Sequence, residues 1–191
     1  MNILGKSIIL RAIEEDDLTM LQQWASDPAI QGATGRIHFP SSKRFHAHWL
    51  ETNGNADNHQ RWIVQSMHGE AIGLTSLINI DWRNRNAWHG ILIGNANYHG
   101  AQFAADAIFA TMRYAFEELQ LERLDGSVIE YNDRSLKLYC SKILGWEVEG
   151  KRRRYTFHKG RYWDQILIGI TRERFEEVKP VALQILKHSS G

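Results

Sequence analysis

The stretch Asn132-Asp133-Arg134-Ser135-Leu136-Lys137-Leu138-Tyr139-Cys140-Ser141-Lys142-Ile143-Leu144-Gly145-Trp146 decides the fold. Asn132 has the short polar side chain that takes up a free N–H of a first helical turn. Leu136, Tyr139, Cys140, Ile143 and Leu144 recur at helical spacing and predict one buried face. Gly145 suits the end of that helix, where a left-handed residue is needed. On either side the period changes: Leu124–Glu130 reads as a strand, and Trp146–Phe157 and Arg161–Ile170 read as two more, meeting at His158-Lys159-Gly160.

Toward the N-terminus, Ala104, Ala107, Ile108, Thr111, Met112, Ala115, Phe116 and Leu119 give the strongest helical pattern of the chain. Before it come three strands, Arg61–Ser66, Ala71–Asp81 and Ala87–Ile93, turning at Gly69-Glu70 and Arg83–Asn86, with a polar loop at Thr52–Gln60 ahead of them. Ser41–Ser42 cap a helix carrying Phe45, His48 and Trp49, and Ile30–Phe39 reads as irregular. Asp16 caps an earlier helix that Asp27-Pro28 ends at about Ser26, because the residue before proline is pushed out of the helical region. Ser7–Arg11 opens as a strand, and an amphipathic helix from Glu173 to Lys187 closes the pattern. Strands alternating with helices beside hairpins predict an α/β (α+β) fold: a mixed, mostly antiparallel central sheet with helices on both faces. The expectation is one domain over residues 1–191, with 172–191 as a helical extension.

Composition narrows the function classes. Twenty-three Lys and Arg against twenty-two Asp and Glu leave a formal charge of +1, so no global field draws the chain to nucleic acid or an anionic membrane. Cys140 is the one cysteine, which excludes an intrachain disulfide and a thiolate metal cluster. The apolar run near the N-terminus is cut off at Glu14, too short for a signal peptide or a span, and a cytoplasmic location is expected. His46 and His48 are two apart on a predicted helix and face different ways, so no metal is expected.

Two segments carry chemistry. Gly94-Asn95-Ala96-Asn97-Tyr98-His99-Gly100-Ala101-Gln102-Phe103-Ala104 joins a strand to the long helix. Free N–H groups and partial positive charge at a helix N-terminus can hold a pyrophosphate, although an ordinary strand-to-helix turn looks the same. The second is Asn132 to Tyr139; Asn132 caps its own helix or bonds a ligand amide, and Tyr139 on an apolar stripe is also an ordinary packing residue.

Taken together, Asn132-x-x-Ser135-x-x-x-Tyr139, Leu144-Gly145-Trp146 and Glu149-Gly150 resemble the GCN5-related N-acetyltransferase (GNAT) superfamily, with the RimJ/RimL type as the nearest branch. The resemblance runs from Leu10-Arg11 and Asp16-Asp17-Leu18 through Ile72-Gly73 and Gly90–Gly94 to Gly160–Asp164. It implies acetyl-CoA as co-substrate, with the backbone of Ile91–Ile93 pairing with the pantetheine arm and the amides of His99, Gly100, Ala101, Gln102, Phe103 and Ala104 around the pyrophosphate. Asn132 would contact the pantetheine, and Tyr139 would protonate the departing thiolate as a neutral amine attacks the thioester directly. No covalent intermediate is implied, so Cys140 is expected to be a buried small residue. The loop departs from the pattern at Gln102, where the resemblance expects glycine, and a side chain there would crowd the phosphates. A coenzyme A-binding module without turnover therefore stands as an alternative.

The acceptor half rests on less. His89 falls where related chains carry a base on the strand, but as a strand residue it can equally point into a packing face. Residues 30–61 hold Arg36, Lys43, Arg44 and Arg61 with His38, His46, His48 and His59, against Glu51 and Asp57 alone. This balance argues against a polyamine acceptor and for one that also carries negative charge. The expected partner is an amine acceptor: a small molecule, a protein N-terminus or, from the short His46-x-x-Trp49-Leu50 likeness, a nucleotide-linked amino sugar. Lys151–Arg154 with Lys159 and Arg161 reads as a solvated hairpin, with no nucleic acid or membrane partner expected. Asp164 is a weak candidate for orienting the amine. Exposed aromatics such as Trp82 leave room for a homodimer.

Overall fold

A computed structural model of the chain describes residues 2–34, 42–49, 51 and 57–188. Its elements are β1 (Ile3–Leu4), β2 (Ile8–Arg11), α1 (Leu18–Ser26), α2 (Pro28–Thr34), α3 (Lys43–Trp49), β3 (His59–Ser66), β4 (Ala71–Asp81) and β5 (Asn86–Ile93). There follow α4 (Ala101–Arg113), β6 (Arg123–Ile129), α5 (Asp133–Tyr139), β7 (Glu147–His158), β8 (Arg161–Thr171) and α6 (Arg172–His188). One eight-stranded sheet has the order β1-β2-β3-β4-β5-β6-β8-β7. Every neighbouring pair is antiparallel except β5 and β6, which run parallel. The expected mixed sheet with helices on both faces is the one observed.

Two cores cover the two faces. On one, α4, the turn that follows it and α6 bury Ile108, Met112, Phe116 and Phe175 with Leu77, Leu124 and Ile168 of the strands. On the other, α1 and α2 bury Leu21, Trp24 and Ile30 against Ile63. Asp106 of α4 is buried and holds the start of the chain in place. Its carboxylate accepts from the N–H groups of Lys6 (2.9 Å) and Ser7 (2.6 Å) and from the Ser7 hydroxyl (2.9 Å). Burial of that carboxylate is offset by charge-assisted hydrogen bonds.

Several local expectations are corrected. Asp17, rather than Asp16, organises the start of α1: it takes the Glu14 N–H (2.9 Å) and two N–H groups of Arg11 (2.7 and 2.8 Å). Pro28 ends α1 but also begins α2, so residues expected to be irregular are helical to Thr34; Asp27 caps that turn through the Ala29 N–H (2.7 Å). Proline tolerates a first helical position because its missing N–H is unpaired there anyway. Ser42 caps α3 through the Phe45 N–H. Ser41, Arg36, His38, Leu50, residues 35–39 and residues 52–56 of the loop lie outside the described residues. The long helical pattern is regular to Arg113 and ends in a π-helical turn, Tyr114–Glu118. Helix α5 stops at Tyr139, so Cys140 leaves the apolar stripe and is exposed rather than buried. Lys159 and Gly160 both take positive φ (49° and 78°), the two-residue turn that suits a twisted hairpin.

Gly94, at the end of β5, is required by packing. A Cβ there would fall within the ring of Trp24, whose indole covers the backbone at this point. Gly94→Ala is expected to lower unfolding stability by about 1–3 kcal/mol, the usual cost of overpacking, and to loosen α1. Urea denaturation and protection of the α1 amides from hydrogen exchange check both.

Candidate active site

The site begins where two strands part. Asn86, Ala87 and Trp88 of β5 pair with Arg123, Leu124 and Asp125 of β6, and the pairing stops there. Beyond it β5 stays with β4, from His89 opposite Leu77 to Ile93 opposite Gly73, while β6 stays with β8 through Ile129 opposite Gln165. The sheet therefore splits into a wedge whose vertex lies at Trp88 and Asp125 and whose β5 wall is His89–Ile93. Ile91 and Ile93 are half-buried on that wall. An unpaired strand wall of this kind offers backbone groups to an extended ligand.

Three aromatic side chains meet at the vertex. Tyr139, at the end of α5, packs edge-on against Trp146 (5.0 Å between ring centres) and against His89 (5.8 Å). Trp146 is buried against Gly126, the first residue of β6 past the paired stretch, where an added Cβ would stand 3.3 Å from the indole. Its N–H donates to the Met112 sulfur (3.3 Å). The sequence pattern Tyr139…Leu144-Gly145-Trp146 thus has a physical content: the positive φ of Gly145 (70°) turns the chain back so that Trp146 supports the tyrosine.

His89 and Tyr139 are brought together directly. The Tyr139 hydroxyl lies 2.9 Å from His89 Nδ1, and His89 Nε2 lies 3.2 Å from Thr75 Oγ1. Thr75 Oγ1 in turn contacts Thr111 Oγ1 (3.2 Å) and the Gly90 carbonyl (3.2 Å), and the Thr111 hydroxyl donates to the Ala107 carbonyl (2.8 Å). Thr75 and Thr111 are fully buried, and His89 and Tyr139 retain only 6% exposure. Burial lowers the His89 pKa to about 3 and pushes the Tyr139 phenol above its ordinary range, so both are neutral near pH 7. His89 does not face an acceptor: both ring nitrogens are engaged inside the protein. Thr75 and Thr111 complete this group beyond the residues expected from the sequence, where their signal is a hydroxyl at a position patterned as apolar.

The loop before α4 is built as follows. Asn95 caps a short turn through the Asn97 N–H (3.1 Å), and the His99 imidazole folds back to within 3.1 Å of the Ile93 carbonyl. His99 therefore closes the end of β5 with its side chain. Gly100 is the N-cap of α4 and has no side chain to fill the first turn, leaving the amides of Ala101, Gln102 and Phe103 without an intrahelical acceptor. Ala104 follows on the half-buried side. Gln102 lines a cavity of 370 Å³ with Lys6, Ser66, His68, Tyr98 and Asp106, on the flank toward the β1–β2 and β3–β4 turns.

Asn132 caps α5, accepting from the Ser135 N–H (3.2 Å), and donates through Nδ2 to the Ala33 carbonyl (3.0 Å). Beside it the Tyr131 hydroxyl donates to the Gly32 carbonyl. These bonds strap α2 to the end of β6 and leave Asn132 one side-chain N–H beyond these contacts. Asp164 serves the β7–β8 hairpin: its carboxylate pairs with Lys151 (2.9 Å) and takes the Arg154 N–H (2.9 Å). Among the described residues, no group of three His, Cys, Asp or Glu side chains could hold a metal ion, and no helix is long and apolar enough to cross a membrane.

The burial of His89 has a thermodynamic signature. The unfolded chain binds its imidazole proton near pH 6.5 and the native state only near pH 3, so between these values unfolding takes up a proton. Native stability contributed by the neutral ring is whole above pH 6.5 and falls as pH falls through this window. The slope is about 1.4 kcal/mol per pH unit for one proton. Denaturation midpoints of wild type and His89→Phe, measured from pH 7 to pH 4, are expected to converge toward low pH with that difference in slope.

Comparison with known proteins agrees with this geometry. Residues 7–141 match the acetyltransferase (GNAT) domain family. The SPbeta prophage-derived uncharacterized N-acetyltransferase YokL of Bacillus subtilis is 29% identical over 172 residues, covering 90% of this chain and 94% of the relative. The spermidine N(1)-acetyltransferase of Escherichia coli K12 is 27% identical over 174 residues, 88% of each chain. A crystal structure of spermidine N-acetyltransferase from Vibrio cholerae in complex with CoA and spermine superposes with a TM-score of 0.82. At 24% identity, and covering 90% of this chain and 99% of that one, it establishes likeness of fold. The family match spans well over half of the chain, so the chain belongs to the acetyltransferase (GNAT) domain family and is an acetyl-CoA-dependent N-acetyltransferase.

Proposed function

We propose that this enzyme acetylates the primary amine of a small molecule, with Tyr139 as the proton donor to the departing sulfur. The observation that carries this is the Tyr139 hydroxyl at the vertex of the wedge, next to the first unpaired residues of β5. The wall Ile91–Ile93 is suited to align the pantetheine arm, and Asn132 has one N–H left for it. The free amides from Gly100 to Phe103, with Ala104, are suited to the pyrophosphate. His99 contributes by holding the end of β5. Helix α6 belongs to the same domain in this proposal, since Phe175 and Ala182 are fully buried in the main core.

Acetyl-CoA supplies an activated acetyl thioester. The chain's own residues do the rest: they align the thioester along β5, exclude water through the buried aromatic group, and manage protons. A neutral amine nitrogen forms the new bond to the carbonyl carbon as the C–S bond breaks. Tyr139 gives its proton to the sulfur, and the proton shed by the nitrogen restores the phenol. Orientation accounts for much of the acceleration. A raised phenol pKa keeps the proton in place until the thiolate forms.

The relatives named above as spermidine acetyltransferases support a small-molecule amine as acceptor. The basic excess over residues 30–61 favours a second group on the acceptor that is neutral or anionic rather than a second ammonium. In a thiol-release assay, Tyr139→Phe is expected to lower kcat about 100-fold, within the range of general acid catalysis, with acetyl-CoA binding unchanged by calorimetry. Across a panel of amines, kcat/KM for a monoamine carrying a carboxylate or phosphate is expected to exceed that for spermidine about ten-fold, since like charges across an interface repel. Spermidine as the best substrate would overturn the acceptor assignment and leave the Tyr139 assignment standing.

A further inference from the structure

The hydrogen-bonded chain behind Tyr139 has a direction. Thr111 spends its only proton on the Ala107 carbonyl, its shortest contact at 2.8 Å, and can therefore only accept from Thr75. The Gly90 carbonyl can also only accept. Thr75 thus faces two acceptors and one imidazole nitrogen with a single proton to give. If that proton went to His89 Nε2, two oxygen–oxygen contacts of 3.2 Å would be left with no hydrogen between them. If it goes to Gly90 or Thr111, only one such contact remains, and Thr75 is free to accept from His89 Nε2–H. The second arrangement wins, because an unmatched buried polar contact costs about 1–3 kcal/mol. A neutral imidazole with its proton on Nε2 has a bare Nδ1, and that lone pair must accept from the Tyr139 hydroxyl, 2.9 Å away.

We propose that His89 is a positioning residue, its tautomer set by Thr75 and Thr111, which holds the Tyr139 hydroxyl at the wedge vertex and fixes where its proton lies. This rests on Tyr139 being the proton donor. In the resting enzyme the phenolic proton points at Nδ1 and a hydroxyl lone pair faces the wedge. The proton reaches sulfur only when a developing thiolate competes for it, so the donor is held in reserve instead of being spent on water or substrate. The chain ends at the Ala107 carbonyl, which has no proton to pass on, so His89 neither shuttles protons to solvent nor deprotonates the acceptor.

The first test needs no turnover. In a long-range ¹⁵N–¹H spectrum of histidine-labelled wild-type enzyme, His89 is expected as a neutral ring with the proton on Nε2. Thr75→Ser should keep that pattern. Thr75→Val removes the acceptor for Nε2–H and should move the proton to Nδ1, where it donates to the Tyr139 oxygen. A proton on Nδ1 in the wild type, or a spectrum unchanged in Thr75→Val, would overturn the proposal. The second test is kinetic. His89→Phe, a similar volume in a buried site, is expected to lower kcat with acetyl-CoA about ten-fold or more, the cost of a slightly misplaced catalytic group. KM for acetyl-CoA should stay within two-fold, and His89→Phe added to Tyr139→Phe should bring no loss beyond that of Tyr139→Phe alone. Replacing the donor with an acetyl thioester of an acidic thiol, whose anion needs no proton to leave, should abolish the difference from wild type. A His89→Phe effect that multiplies with that of Tyr139→Phe, or a kcat equal to wild type while Tyr139→Phe is impaired, would sink the role of His89 alone. Full activity in Tyr139→Phe would sink the proton-donor assignment and this proposal with it.

Discussion

Parallel pairing between β5 and β6 lasts for three residues, and the functional geometry depends on its stopping there. Each strand has a firmer partner on its other side. β6 is in register with β8 from Arg123 to Ile129, and β5 with β4 on both sides of the vertex. Two antiparallel halves, each with its own twist, are therefore joined by a short parallel seam, and they diverge as soon as it ends. Glycine stands on both strands near the point of divergence, at Gly90 and Gly126. At Gly126 there is no room for a Cβ without shifting Trp146 by some tenths of an ångström. The wedge is a consequence of the pairing pattern, and the aromatic group that supports Tyr139 sits at its root.

The same constraint explains why polar groups occur in an otherwise apolar layer. Residues of β4 and β5 facing α4 lie beneath a helix made largely of Ala, Ile, Phe and Met, yet Thr75, His89 and Thr111 interrupt it. Each finds a partner in another, so desolvation costs little beyond the loss of exchangeable water bonds. A hydrogen-bonded polar chain in a dry layer also fixes side-chain orientation more strictly than apolar packing would. That strictness is what a proton donor at the vertex of a narrow opening requires.

Much of this was legible in the sequence, though unevenly. Strand β2 was plain from its β-branched residues, strand β4 from the turns that bound it, and the Asn132 cap from a short polar residue ahead of an apolar stripe. Helix α2 was missed because a proline was taken as the end of one helix, when it was also the start of the next. Cys140 was placed one position too far along a periodic face, since periodicity does not say where a helix stops. His89 was recognised as a candidate, but its direction was not, because a strand residue faces one of two sides and only tertiary contacts choose between them. Gln102 looked like an obstruction from spacing alone. It lines a cavity shared with Lys6, Ser66 and His68, residues far from it in the sequence, and no local pattern contains that neighbourhood.

The carboxylate of Asp106 has a consequence for synthesis of the chain. Its three bonds to Lys6 and Ser7 span 99 and 100 residues, among the longest separations of any side-chain hydrogen bonds in the protein. At ribosomal rates of about 5–20 residues per second, the β1–β2 turn waits roughly 5–20 s after it emerges before α4 exists to receive it. During that interval the first strand edge is unsecured at its turn, with β3 the nearest partner still to be made. The β1–β2 turn is therefore made long before its anchor, and the arrival of one aspartate supplies it.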